Sequence, residues 1–406
     1  MLDLSKLARQ MQGISEHLTQ EAAAAQRRVE IARNLLAKAT GEQAQLVLQL
    51  NEWRDRILFA AAEPIEPLNT KVPLTTAPEA HTVISSDGSQ ISPSHHEIAY
   101  CYLLNISRVI IHYGQSRYPI LDSIPEVIYR PEDLYASRQW GIRTDEWMGH
   151  KRTAAEAIML GELGAPDDQL SLLSDNPPLH KNKAAVPTLA MTDGSLIYWF
   201  LEQMPAAARD EILLPVLAAW DRLRQARVPV MGYISASRSG EALNFLRLQA
   251  CPYDEPDCLT HCEDDRSQTP CQTFSPLRDV TLWSTSLAPG ERGPLWKSSA
   301  DILSCYGEHA VYFCYVHVGA EVARVEFPQW VIEDSELLDL ALSLMLAQVQ
   351  KGFGYPVALA EAHNQAVVRG GDRTRFFTLL EQQMIRAGLK NVGTSFKEAR
   401  KRGSIA

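Results

Sequence analysis

No stretch of this chain approaches the roughly 18 unbroken apolar residues of a membrane-spanning helix, and the start, MLDLSKLARQMQG, has no charged head followed by an apolar run. The first absence argues against a helical membrane anchor and the second against a secretory signal, so the expected location is cytoplasmic, with no membrane partner. Cysteine is scarce and odd in number, seven in all. In a chain without a signal that argues for reduced thiols or bound metal rather than a disulfide framework. Positive charge is short as well. A net charge of −10 works against broad, nonspecific nucleic-acid affinity, yet it is compatible with an enzyme whose carboxylates hold cations. The only dense basic run is the tail KEARKRGSIA, and there is no short-period repeat.

What remains is an ordinary globular composition, 46% hydrophobic and 22% charged, in 406 residues. That is enough for one large domain or two ordinary ones. Residues 1–62 space Leu, Met, Ile and Ala at three and four and read as a bent or antiparallel helical pair with a pause at Gly41, suited to dimerisation or docking. Residues 63–79, rich in Pro and Thr, read as a connector. Strand-like runs follow at 81–86, 97–107 and 108–114, three neighbours that predict a meander. A helix is expected over 145–163, closed by Gly164, then a long loop, then the strand TLAMTD and a helix over about 205–226. VPVMGYIS reads as a buried strand and GEALNFLRLQA as a helix. A late hairpin around Gly319 and helices over 335–350, 358–369 and 374–387 complete an α/β pattern.

Two apolar strands run into the same tripeptide, VISSDGSQ at 83–90 and AMTDGSL at 190–196. Asp-Gly alone is a common turn. Two carboxylates at the carboxyl ends of core strands, however, would resist joint ionisation unless a cation sat between them, and hard oxygen ligands select Mg²⁺ or Mn²⁺. Asp87 and Asp193 are therefore candidate metal ligands. The helix HKRTAAEAIMLGEL offers Glu156 or Glu162 as a third acid; Glu156 has small, apolar neighbours, and Arg152, four residues before it, orients it or forms a surface pair. In KGFGYPVALAEAHNQAV a Gly-rich loop with Tyr355 precedes a helix carrying His363, able to donate to a leaving oxygen or to bind metal. In GYISASRSGEALNFLR, Arg238 and Ser239 at a helix start form a phosphate seat, or Ser239 is only an N-cap. Arg247, two turns on, reads as a surface residue. Finally, Cys251, Cys258, Cys262 and Cys271 crowd into one loop-like stretch, whose four thiols suit a structural Zn²⁺ site or an iron–sulfur cluster.

In their order, SSDGSQ, MTDGSL, GYISASRSGEALNFLR and GYPVALAEAHNQAV resemble the NurA domain family of nucleases, over about residues 80–370. The resemblance implies an RNase H-like mixed sheet flanked by helices, with an N-terminal helical segment (1–62), the connector (63–79), a nuclease domain (80–390) carrying a Cys-rich insertion (251–275) and a basic tail (391–406). It implies Mn²⁺-dependent (or Mg²⁺-dependent) endonuclease and 5′-to-3′ exonuclease activity on DNA, a homodimer, and work beside the hexameric translocase HerA in end resection. Asp87 and Asp193 match the metal-binding aspartates of the two motifs, Glu156 the helical glutamate between them, and His363 the histidine of the last motif, with Tyr355 just ahead of it. The rival reading is a non-catalytic, nuclease-like adaptor that binds DNA or an ATPase.

Overall fold

The structure is a computed structural model and describes residues 3–92, 100–165, 186–262 and 269–388. The expected basic tail, the long loop after Gly164 and the middle of the Cys-rich stretch lie largely outside the described residues. The chain divides into two compact units, Met1–Leu74 with Tyr233–Gln329, and Thr75–Gly232 with Trp330–Ala406. No described helix is long and apolar enough to cross a membrane.

The first unit is organised around one 41-residue helix, Gln12–Glu52, preceded by the short helix Leu4–Gln10. This corrects the expected helical pair. A single glycine costs a helix only about 1 kcal/mol relative to alanine, and Gly41 is passed without a break because the apolar stripe continues through it. Ala32, Ala39, Leu46 and Leu50 are buried against Leu243, Phe245 and Trp283 of the same unit. The helical reading also ran too far, since the last helical turn is Arg54–Arg56 and the chain is extended by Ile57. Behind the helix lies an antiparallel sheet in the order Glu63–Pro64, Trp296–Lys297, Val311–His317, Val322–Pro328. The last two strands are the expected hairpin around Gly319.

The second unit is a mixed sheet. Ile120–Ile128 pairs with Tyr102–Tyr113, which pairs with His81–Ser85, all antiparallel; Thr188–Asp193 then joins His81–Ser85 in parallel, with Val230–Ile234 next in order. Three antiparallel strands followed by a parallel one is the RNase H-like arrangement. The runs at 97–107 and 108–114 are not two strands: from Tyr102 onward they form a single 12-residue strand, Tyr102–Tyr113. The meander's third strand is Ile120–Ile128. Helices Thr144–Gly164, Ala206–Gln225, Ser335–Lys351 and Val357–Ala366 pack in this unit. Because helices cover the sheet, Tyr102–Tyr113 is buried along most of its length and shows little of the period-two alternation of a half-exposed strand.

Candidate active site

Asp87 lies within a strand path rather than at its end. His81–Ser85 and Gly88–Ile91 face the same partner in one unbroken register, His81 with Tyr113, Ser85 with Val109, Gly88 with Ile106. Between them the Asp87 carbonyl accepts the Ser107 N–H at 2.8 Å. The turn expected at the first Asp-Gly-Ser is thus absent. Neighbouring residues of a strand point to opposite faces. On one face Ser89 Oγ donates to the carbonyl of Ala366, at the end of the helix Val357–Ala366. On the other, Gly88 faces the helix Thr144–Gly164, and a Cβ there would stand 2.6 Å from Glu156 Oε1 and 2.7 Å from Arg152 Cγ. Glycine is needed here for the close approach of that helix.

The second copy behaves as the sequence suggests. Asp193 closes the strand Thr188–Asp193, and Gly194 takes φ of 114°, a left-handed conformation that favours glycine. Ser195 Oγ then accepts the Ile197 N–H at 2.9 Å, stabilising the turn.

Around the two aspartates the other candidates gather. His363 Nδ1 lies 3.0 Å from Asp87 Oδ2. Tyr355 hydrogen-bonds the Asp193 carboxyl, whose pKa is nevertheless raised, first by desolvation and then by the charge of Asp87, although the residue is exposed at the surface. Glu156 is pushed up to about 8, chiefly by burial and further by Asp87, against the opposing pull of Arg152 and the Gly88 N–H. Arg152 Nε forms an ion pair with Glu156 Oε1 at 3.2 Å, while both atoms are buried without a hydrogen-bond partner. Asp87, Arg152, Glu156, Asp193, Tyr198 and Trp220 line one cavity of about 300 Å³. Glu162, the other candidate for a third acid, instead acts electrostatically on Arg108; six residues along a helix put it about 240° around the axis from Glu156.

Two features escaped the sequence reading. Tyr198 is buried on the cavity wall, where burial and the charge of Glu156 raise its hydroxyl pKa. Its position in SLIYWF looks like ordinary core. Phe353, two residues before Tyr355, is 99% exposed with φ of 54°. Its place between two glycines was the only sign available.

Arg238 and Ser239 belong to the other unit. Arg238 is exposed. Ser239 Oγ accepts from Arg324 at 2.8 Å, and Arg324 also pairs with Glu241 at 2.6 Å and Glu326 at 2.7 Å. The N-cap position of the helix Glu241–Gln249 is Gly240, not Ser239, whose Oγ accepts only the first amide, Glu241 N–H, at 3.3 Å; the Ala242 and Leu243 amides donate to Asp279 at 3.1 and 2.8 Å. The amides invoked for a phosphate seat therefore already serve an internal carboxylate. Arg247 is not a surface residue, being 9% exposed. Cys251, Cys258, Cys262 and Cys271 line one cavity in that unit and are unpaired thiols. Among the described residues, no group of three or more His, Cys, Asp or Glu side chains is drawn together so as to hold a metal ion.

The profile of the NurA domain matches residues 81–368, which include Asp87, Glu156, Asp193, Tyr355 and His363. The crystal structure of the NurA nuclease from Sulfolobus solfataricus is similar at a TM-score of 0.46 and 13% identity, over 88% of this chain and 99% of that one. No curated protein sequence matches. The NurA domain match covers most of the chain, and the chain belongs to the NurA domain family, a family of nucleases.

Proposed function

We propose that the chain is a divalent-metal-dependent DNA nuclease, acting endonucleolytically and from 5′ toward 3′ on single- and double-stranded DNA during end processing. The observation that carries this reading is the meeting of Asp87, Glu156 and Asp193 on one cavity wall. The three carboxyls are not drawn together closely enough to ligate an ion as they stand, but their charges favour one. The Asp87 charge raises the pKa of both other carboxyls, and Glu156 Oε1 is a buried oxygen with no hydrogen-bond partner, an arrangement that an added positive charge would relieve. Asp87, Glu156 and Asp193 would hold Mn²⁺ or Mg²⁺, which supplies Lewis-acid charge and an activated water for in-line displacement at phosphorus.

The chain's own residues do the rest. Tyr355 orients the Asp193 carboxyl. Arg152 offsets negative charge beside Glu156. Asp87 accepts from His363 Nδ1–H, which leaves Nε2 to serve the substrate; in that tautomer Nε2 donates a proton to the leaving oxygen only as imidazolium. Phe353 offers an unsupported aromatic face on which a base can stack. Exposed Leu4, Met11, Ile14, Leu18 and Leu48 on the N-terminal helices support a homodimer or the docking of a HerA-like hexameric translocase on that segment.

Cleavage of end-labelled single- and double-stranded DNA in Mn²⁺, Mg²⁺ or EDTA, with wild type beside folded Asp193→Ala, tests the reading. Metal-dependent cutting lost in the variant is expected. A folded wild type that cuts nothing in either metal, even with its translocase present, would leave the non-catalytic adaptor.

A further inference from the structure

The nuclease reading leaves the four-cysteine stretch without a role, and the chemistry available to those thiols is independent of it. Cys251 follows the helix Glu241–Gln249, Cys258 opens the short helix Cys258–His261, Cys262 closes it, and Cys271 lies beyond the segment 263–268. Three separate pieces of chain thus bring four thiols to one cavity, which Arg247 and His261 also line. Cys258 and Cys271 are buried. Each of Cys251, Cys258 and Cys271 acts electrostatically on Cys262, which confirms that the four are neighbours.

The setting is anchored on its outer side. Asp257 accepts from the Thr260 N–H at 3.0 Å and pairs with Arg56 at 2.6 Å, and Tyr253 stacks on His261 at 4.1 Å. On the inner side stands Arg247. Its Nε and Nη2 lie 3.4 and 3.3 Å from Cys271 Sγ, Nη2 donates to Thr269 Oγ1 at 3.1 Å, and its guanidinium covers the Phe59 ring at 3.7 Å. Among the described residues no carboxylate pairs with it. A guanidinium more than nine-tenths buried against a sulfur, a hydroxyl and a ring is favoured by an anion beside it.

We propose that Cys251, Cys258, Cys262 and Cys271 bind an iron–sulfur cluster. The geometry separates this from zinc. Zinc sits about 2.3 Å from each of four sulfurs and so demands thiols nearly in contact. Among the described residues no three side chains here close around a single ion. A cluster carries iron and sulfide of its own between the ligands and accepts cysteines set further apart. It also supplies an anion: the four thiols enter as thiolates, releasing their protons to solvent, and the Arg247 N–H groups then donate to a charged sulfur, the kind of contact that tunes such clusters.

The test is made on the full chain, purified without oxygen and incubated with ferric iron, sulfide and a thiol reductant, then freed of unbound metal. Wild type is expected to retain iron and acid-labile sulfide in equal amounts, with a broad visible absorption. Cys258→Ser and Cys271→Ser are expected to lose both at least tenfold, while Cys305→Ser, outside the group, keeps them. Wild type that retains no iron overturns the proposal, even should the variants fail to fold. Cluster retention in both folded variants overturns it too, as does stoichiometric zinc without sulfide in protein never exposed to added iron and refractory to reconstitution. None of these readouts uses DNA cleavage, so they stand apart from the nuclease reading.

Discussion

The two Asp-Gly-Ser copies are spelled alike and built differently. At Gly194 the backbone turns, with φ of 114°, and a Cβ would meet nothing within 4 Å. At Gly88 the strand register continues, and a Cβ would strike the carboxylate of Glu156 at 2.6 Å. One glycine is there for its conformation and the other for its missing side chain. The same tripeptide delivers an aspartate to the cavity in both cases, once by ending a strand and once by letting a helix press against the middle of one. The partners differ accordingly, with His363 and the 144–164 helix around Asp87 and Tyr355 beside Asp193.

Swapping in the smallest side chain should separate the copies most sharply. Gly88→Ala is expected to displace Glu156 and lower cleavage roughly 10²-fold or more, the scale of a 1 Å misplacement at a reacting centre. Gly194→Ala should instead cost about 1–2 kcal/mol of stability from backbone strain, with cleavage less affected. Equal losses of cleavage, at matched folding, would erase the distinction. Next, His363→Ala removes the proton donor attached to the first copy, for a loss of roughly 10²-fold or more in kcat; an unchanged rate would leave His363 only a structural neighbour of Asp87.

A third contrast is in pH. In EDTA, burial holds the Glu156 carboxyl at about 8 when folded against 4.5 for the free group. The folded state keeps its proton to higher pH than the unfolded one, so this group's contribution to stability is full below pH 4.5, falls as pH rises toward 8, and levels off above it. Glu156→Gln should flatten that slope and be the more stable protein above pH 8, by an amount on the order of a few kcal/mol, as read from urea unfolding. Parallel pH profiles would contradict the burial. The smallest effect is expected at Phe353→Ala, which should weaken single-stranded DNA binding by about 1–3 kcal/mol, one stacked base, without changing Mn²⁺ affinity. Unchanged DNA binding would remove the stacking role.

Much of this was legible in residue order. Strand-then-Asp-Gly marked both aspartates, and the apolar surroundings of Glu156 favoured it over Glu162 because helical spacing puts the two on different faces. The rest depended on distant partners. Nothing in VISSDGSQ says that a helix some seventy residues on fills the space over Gly88, so the local turn signal prevailed and misled. Helices covering the sheet removed the alternation that would have marked Tyr102–Tyr113 as one strand. In the N-terminal helix the apolar stripe was visible but Gly41 was overvalued as a breaker. Ser239 looked like a cap because Asp279, which fills that place, is forty residues away, and Arg247 looked like surface because its sulfur and aromatic neighbours come from other segments.

Asp87, Glu156 and Asp193 are proposed to serve one cation. This is tested most directly by titrating Mn²⁺ into the full chain and following the loss of the free ion's paramagnetic resonance signal, with wild type compared to Asp87→Asn, Glu156→Gln and Asp193→Asn, each checked for folding. Saturable binding by wild type is expected, weakened at least tenfold by each substitution. Saturable binding that none of the three alters, or no binding by folded wild type, would contradict it.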